Sequence, residues 1–549
     1  MQALSSEGHC ESSAEIVAMR TSVDLGSSAR ERSLPVATLP PELLAHIFSF
    51  HAIGSEGDRL YRKGPLPTWL AISQVCRRWR DVALNTPHLW TNILLSNRYW
   101  TTTMLARSKT LPISINAAFV NRPLQDAVSE ALLQVSRARE VVLSSGIVQR
   151  LVLPLRDRPA QVLETLSLSQ AVLSCAMPDD LFAGETPRLT SLTLKRTELR
   201  WSSALLRPAL RHLEIWDVSK DSLPTMNQVL DMLETMHDLQ TLILVRALPG
   251  GTDVDNVQTR PGGFTFEDER VITLPALRKL HLGGEMSQCT TLMAHLSIPP
   301  DAQVELECTP SPDFPDLPPP VSTLEAVLAS HFSRRNQYRN SRIPTFQSLS
   351  LGVTSSDMAY FHADTTTPLE DNGHAFSVTF QSASDVAGTS NAKLLLSSLC
   401  RVVILKDVRS LEVEGAAFTE GDIWRNFFGS MKDVERLFVA GAAADGFLHS
   451  LAYISPPPPH TTENPPTDAV LALSQPDAEP ILGLLAQLKQ VELVEVDLRT
   501  GVASRLCAGL RTMQDVSGLE TLVLRSCEIS QPDVDGLRRI GLEIDVRIV

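Results

Sequence analysis

Leu189-Thr190-Ser191-Leu192-Thr193-Leu194 is one of eight short segments in this chain that read Leu-x-x-Leu-x-Leu or a near variant. The others are Leu163–Leu168, Leu210–Ile215, Leu239–Leu244, Leu277–Leu282, Val408–Val413, Val434–Val439 and Leu519–Leu524. In each, the last three positions alternate with period two, as a strand with one buried face must, and the preceding apolar residue closes the turn into that strand. The first five segments begin 26, 21, 29 and 38 residues apart. A unit of that length cannot bury its own leucines, so stacking neighbours into a parallel sheet, with helices or irregular segments outside, is the physical solution.

This pattern resembles the degenerate leucine-rich repeats of many binding proteins. The resemblance implies an α/β fold: an irregular leucine-rich-repeat solenoid over residues 96–549. An ordinary α/β domain that uses Leu-x-Leu strands in a non-solenoid sheet is the alternative. In either arrangement the leucines point inward and the alternate residues face out: Ser191, Thr193 and Lys195, then His212, Glu214 and Trp216, then Lys279 and His281, and later Glu412, Arg436 and Phe438. Interfaces favour large aromatics and arginine, so a target protein is expected to meet Trp216, Lys279, His281, Arg436 and Phe438. Loops or helices folded over these rings are the competing expectation. Proline-rich stretches near 310–320 and 455–467 read as loops, because proline cannot join a central ladder. Their other reading is as ligands for proline-binding domains.

Toward the N-terminus the pattern changes to helical. Leu39-Pro40-Pro41-Glu42-Leu43-Leu44-Ala45-His46-Ile47-Phe48 opens on prolines suited to a first helical turn. Leu43, Leu44, Ile47 and Phe48 then span roughly 140° of one face at 100° per residue. Ile72, Val75, Cys76, Trp79 and Ala83 repeat the spacing, and Asn85-Thr86-Pro87 ends the stretch before Leu89 and Trp90. Together these residues resemble an F-box, the short helical module that docks on the Skp-type adaptor of cullin-RING ubiquitin ligases. The module is placed at 35–95, and the polar stretch 51–68 reads as an internal loop longer than the family needs, a feature of fungal F-box proteins. The resemblance implies adaptor contacts through Leu39, Pro40, Leu43, Leu44, Ile47, Phe48, Val75, Cys76, Trp79, Arg80, Leu89 and Trp90. A plain helical cap on the following domain is the alternative.

The chain has 549 residues, 43% hydrophobic and 20% charged, beyond the size at which one compact core keeps growing. A net charge of -14 argues against nucleic acid or an anionic membrane as the main partner. The eight cysteines include no C-x-x-C pair and no zinc-type grouping with histidine. Residues 1–34 read as a disordered tail without a basic-then-apolar leader, so a soluble protein of the cytoplasm or nucleus is expected.

Enzyme signatures are missing: there is no G-x-S-x-G, no phosphate-binding glycine loop and no H-E-x-x-H. His212 and His281 are expected on solvent-facing strand positions, and Glu267, Asp268 and Glu269 in a solvated turn rather than around an ion. The basic run His331–Arg342 reads as a solvated helix face or a site for an acidic partner. The expected protein is a non-catalytic substrate receptor without cofactor or metal, binding the adaptor, through it a cullin-RING ligase, and an unidentified target. A leucine-rich scaffold that does not promote ubiquitination is the alternative.

Overall fold

The computed structural model describes residues 39–54, 68–118, 122–250, 270–310, 321–337, 345–354, 358–365, 374–381, 386–420, 424, 428, 431–452, 487–498 and 502–547. The expected tail at 1–34, most of the loop expected at 51–68, the acidic turn at 267–269, residues 311–320, the stretch 455–467 and the end of the basic run lie outside these. Two compact units divide the chain, Met1–Leu143 and Ser144–Val549.

In the first unit, α1 (Pro41–Gly54) starts on Pro41 with Glu42 in its first turn and has His51 in its last, as the helix dipole favours. The helix therefore continues through His51–Gly54, where a loop is expected from the sequence. Next come α2 (Ile72–Val75) and α3 (Arg77–Leu84), separated by Cys76 in extended conformation, and a 3-10 turn at Pro87–Trp90. Strand β1 (Asn92–Ile93) pairs in parallel with β2 (Ile113–Ala118) across α4 (Arg98–Arg107). α5 (Arg122–Leu132) packs on α4, and the chain leaves along β3 (Ala138–Ser145).

The second unit is built on a ladder of parallel strands: β4 (Thr165–Gln170), β5 (Ser191–Lys195), β6 (His212–Trp216), β7 (Thr241–Val245), β8 (Lys279–Glu285) and β9 (Gln303–Thr309), each paired with the next. Then come β10 (Ser348–Val353), β11 (Met358–Asp364) and β12 (Phe376–Gln381), followed by β13 (Ser410–Glu414), β14 (Arg436–Ala440), β15 (Gln490–Val494), β16 (Thr521–Arg525) and β17 (Glu543–Arg547). Strands β13 to β17 again pair in parallel and in sequence. The middle departs from a simple repeat. β9 pairs with β12, β12 with β11, β11 with β10 and β10 with β13, and β11 runs antiparallel to both neighbours. Val353 and Met358 are too close in sequence for a parallel crossover, which needs a dozen or more residues.

The apolar positions of all eight motifs are buried, from Leu163, Leu166 and Leu168 to Leu519, Leu522 and Leu524. Helices lie between strands in sequence, including α6 (Met226–Glu234), α7 (Met286–Ala294), α8 (Val321–Gln337), α9 (Val386–Val402), α10 (Ala443–Ala452), α11 (Val502–Ser517) and α12 (Gln531–Arg538). A corner recurs at the strand ends. Arg196, Asp217, Arg246, Gly441, Glu495 and Ser526 each follow a strand with φ between 50° and 58°. Each donates its N–H to the last part of the next strand, as Asp217 does to the Val245 carbonyl and Glu495 to that of Arg525. Five of the six are not glycine; the hydrogen bond, and at Arg196 and Arg246 the carboxylate of Asp217, hold a conformation that side chains disfavour. No helix among the described residues is long and apolar enough to cross a membrane.

Candidate interaction surfaces

The α1 face is divided. Leu44 and Phe48 are fully buried, whereas Leu43, Ile47 and Phe50 are 50%, 48% and 64% exposed. Adjacent residues on a helix point 100° apart, so a stripe as wide as 140° has one edge for the core and another for solvent. The Phe48 ring meets Trp79 at 5.0 Å between centroids. Trp90 is enclosed as well: its indole N–H donates to the Ala83 carbonyl at 2.9 Å, Trp69 stands edge-on at 5.3 Å, and the Arg107 guanidinium lies 4.3 Å above the ring. Leu89 is buried beside it.

Of the twelve residues expected to touch an adaptor, Leu44, Phe48, Leu89 and Trp90 thus belong to the core. They shape the surface without forming it. Leu39, Cys76 and Trp79 are half-buried, the Leu39 carbonyl accepting from the Arg78 guanidinium. Pro40, Leu43, Ile47, Val75 and Arg80 are exposed, and Arg80 reaches back to the Ser73 carbonyl at 2.8 Å. Val75, at the end of α2, is 60% exposed. Phe50 escaped the sequence reading, although its spacing of three and seven from Ile47 and Leu43 places it on their edge of the helix.

On the polar face of the sheet, Glu214 is the centre of a network. It receives the Trp216 indole N–H at 2.6 Å, the Lys195 ammonium at 2.8 Å and the Thr193 hydroxyl at 3.1 Å, with His212 at 3.5 Å. Burial pushes its carboxyl upward, but hydrogen bonds from His212, Lys195 and Trp216 and the Lys195 charge prevail and hold it at about 2. Lys195 also lies 4.9 Å above the Trp216 ring, and the His281 ring stands perpendicular to it with the centroids 5.7 Å apart.

Trp216 is therefore half-buried by side chains of its own face. His281, expected in solvent, is only 6% exposed, which corrects that placement: alternation decides the face, but Trp216, Glu305 and Glu307 close over the ring. Lys279 is half-buried on β8. Arg436 is exposed and Phe438 half-buried on β14, in register with Ser410 and Glu412 of β13. The five residues expected to meet a target thus share one face but fall into two groups, on β6 and β8 and on β14. A further group joins them there: the rings of His362 and His374 stack at 3.9 Å, and His374 binds Asp364 at 2.8 Å. Burial pushes His362 down to about 4, while the Asp364 hydrogen bond raises His374.

The F-box-like family model matches residues 36–96. An F-box-like domain therefore occupies the N-terminal helical region, and it coincides with the divided face of α1, with α2 and α3 and with the Trp90 core. No curated protein matches the chain.

Proposed function

We propose that this protein is the substrate-recognition subunit of an SCF-type ubiquitin ligase: the F-box-like domain docks on a Skp-type adaptor, and the sheet unit holds a target protein. The observation that carries the proposal is the exposed edge Leu43–Ile47–Phe50, together with Val75, within an F-box-like domain. Each half-exposed branched side chain on that edge retains about half of the ~1.5–3 kcal/mol available from full burial. The recurrent buried motif and the left-handed corner after each of several strands support reading the second unit as degenerate leucine-rich repeats. The long interval between Phe50 and Trp69 supports the fungal type of the module. In this reading the chain makes no bonds itself; it gives a target lysine a high effective concentration at the ubiquitin-loaded enzyme, in the cytoplasm or nucleus.

The test is binding of purified adaptor to wild type and to Leu43→Asp/Ile47→Asp. Lost apolar burial and two carboxylates forced into an apolar contact should weaken binding at least about a hundredfold, at or above ~2.7 kcal/mol, while the melting temperature holds. Undiminished binding by this variant would reject the docking face. Accumulation of the captured target when the receptor is depleted then separates a receptor from a scaffold that binds without promoting ubiquitination.

A further inference from the structure

We propose that His281, Glu305 and Glu307 bind a divalent transition-metal ion of the zinc class on the polar face of the sheet. The site comes from strand register. β8 and β9 run in parallel with His281 opposite Glu305 and Gly283 opposite Glu307. Glu305 and Glu307 are two positions apart on β9 and so share the face that carries His281. One donor atom from each of the three residues lies within 4.8 Å of the other two.

An independent observation points to a ligand. His281 is more than nine-tenths buried, and its Nε2 has no hydrogen-bond partner. Glu307 Oε1 is 3.1 Å from that nitrogen, within ion-pair distance but off the line of a ring N–H. Glu305 reaches the other ring nitrogen at 3.6 Å. Two carboxylates thus face one imidazole, and the nearby guanidinium of Arg246 is held by Asp217. A divalent cation would take the Nε2 lone pair and neutralise both carboxylates.

Zinc binds imidazole and carboxylate at ~2.0–2.2 Å, which sets donors roughly 3.3–3.6 Å apart in a tetrahedral site. Nε2 and Glu307 are already near that separation. Glu305, with 31% of its side chain exposed, has room to turn toward Nε2 and complete the set. One nitrogen and two oxygens without a thiolate favour zinc, manganese or ferrous iron over the all-oxygen preference of calcium. Three protein ligands leave a coordination position for water or for a group on a bound partner.

The experiment uses the full chain, stripped with chelator and titrated with Zn²⁺ by calorimetry. Wild type should take up one equivalent, and Glu307→Gln and His281→Gln should each weaken that binding at least tenfold. His374→Ala should leave it unchanged. Co²⁺ should quench tryptophan emission, with most of the quenching absent in Trp216→Phe, since that indole lies against the His281 ring. Glu307 is partly exposed, so Glu307→Gln tests the site even if the buried His281 variant fails to fold. Absence of stoichiometric uptake overturns the assignment, as does uptake that survives Glu307→Gln at wild-type affinity. Loss of uptake in His374→Ala with Glu307→Gln unaffected would place the ion at the stacked histidines and equally reject this site.

Discussion

Leu43 and Leu44 are adjacent in sequence and chemically identical, yet the structure assigns them opposite roles: one is half-exposed and the other has no exposed surface. Their alanine variants should separate accordingly. Leu44→Ala removes three buried side-chain carbons and leaves a cavity, a change that costs about 2–5 kcal/mol. Leu43→Ala removes a side chain from the solvent edge and should stay within about 0.5 kcal/mol of wild type. For a domain of 60–100 residues each kcal/mol moves the melting temperature by about 4–8 °C, so Leu44→Ala should melt roughly 6 °C or more below Leu43→Ala. Tryptophan emission is a suitable probe, because Trp79 packs on Phe48 and Trp69 on Trp90 within this unit. Equal destabilisation by the two variants would show that Leu43 is packed internally, and the docking edge would lose its first member.

Three other outcomes follow from the sheet unit. Glu214 titrates near 2 in the folded chain against an ordinary 4.5, so its charge stabilises the fold fully above about 4.5 and progressively less as pH falls toward 2. The stability gap between wild type and Glu214→Gln should therefore narrow over that window in denaturant titrations; a gap unchanged at pH 2 would show that the carboxylate charge is not its source. Gly446, on α10, lies against the backbone carbonyl of Phe418, and an added Cβ would also stand 2.8 Å from the Trp424 indole nitrogen. Gly446→Ala should lose about 1–3 kcal/mol or more in thermal unfolding, since a backbone carbonyl cannot step aside as a flexible side chain does. Trp216→Ala, which strips contacts from Glu214, Lys195 and His281, should destabilise by about 1–3 kcal/mol, and an unchanged melting temperature would show that the ring is not engaged.

Period-two alternation made the ladder legible before any coordinates, because a leucine at every second position has one buried side whichever strand lies next to it. Strand direction has no such signature. Met358-Ala359-Tyr360-Phe361-His362-Ala363-Asp364 alternates as the others do, with Ala359, Phe361 and Ala363 buried, yet it runs antiparallel, since direction depends on connection length. The left-handed corners were equally hidden: Arg196, Asp217 and Arg246 carry none of the glycine or asparagine usually read as a turn signal, and hydrogen bonds to the neighbouring strand hold them.

The same separation between face and neighbour governs the candidate sites. Parity placed His281 on the polar side correctly, but its burial depends on Trp216, two strands away, and on Glu305 and Glu307 of the next strand. Ile243 lies between Glu214 and His281 in register, and Val245 between Trp216 and Gly283. The Trp216 indole and the His281 ring meet across β7, and that juxtaposition joins residues 65 apart in sequence. Sequence spacing drifts from one repeat to the next, whereas register does not. The residues that meet on this face are therefore selected by hydrogen-bonded pairing, which sets Glu214, Ile243, His281 and Glu305 side by side across four strands.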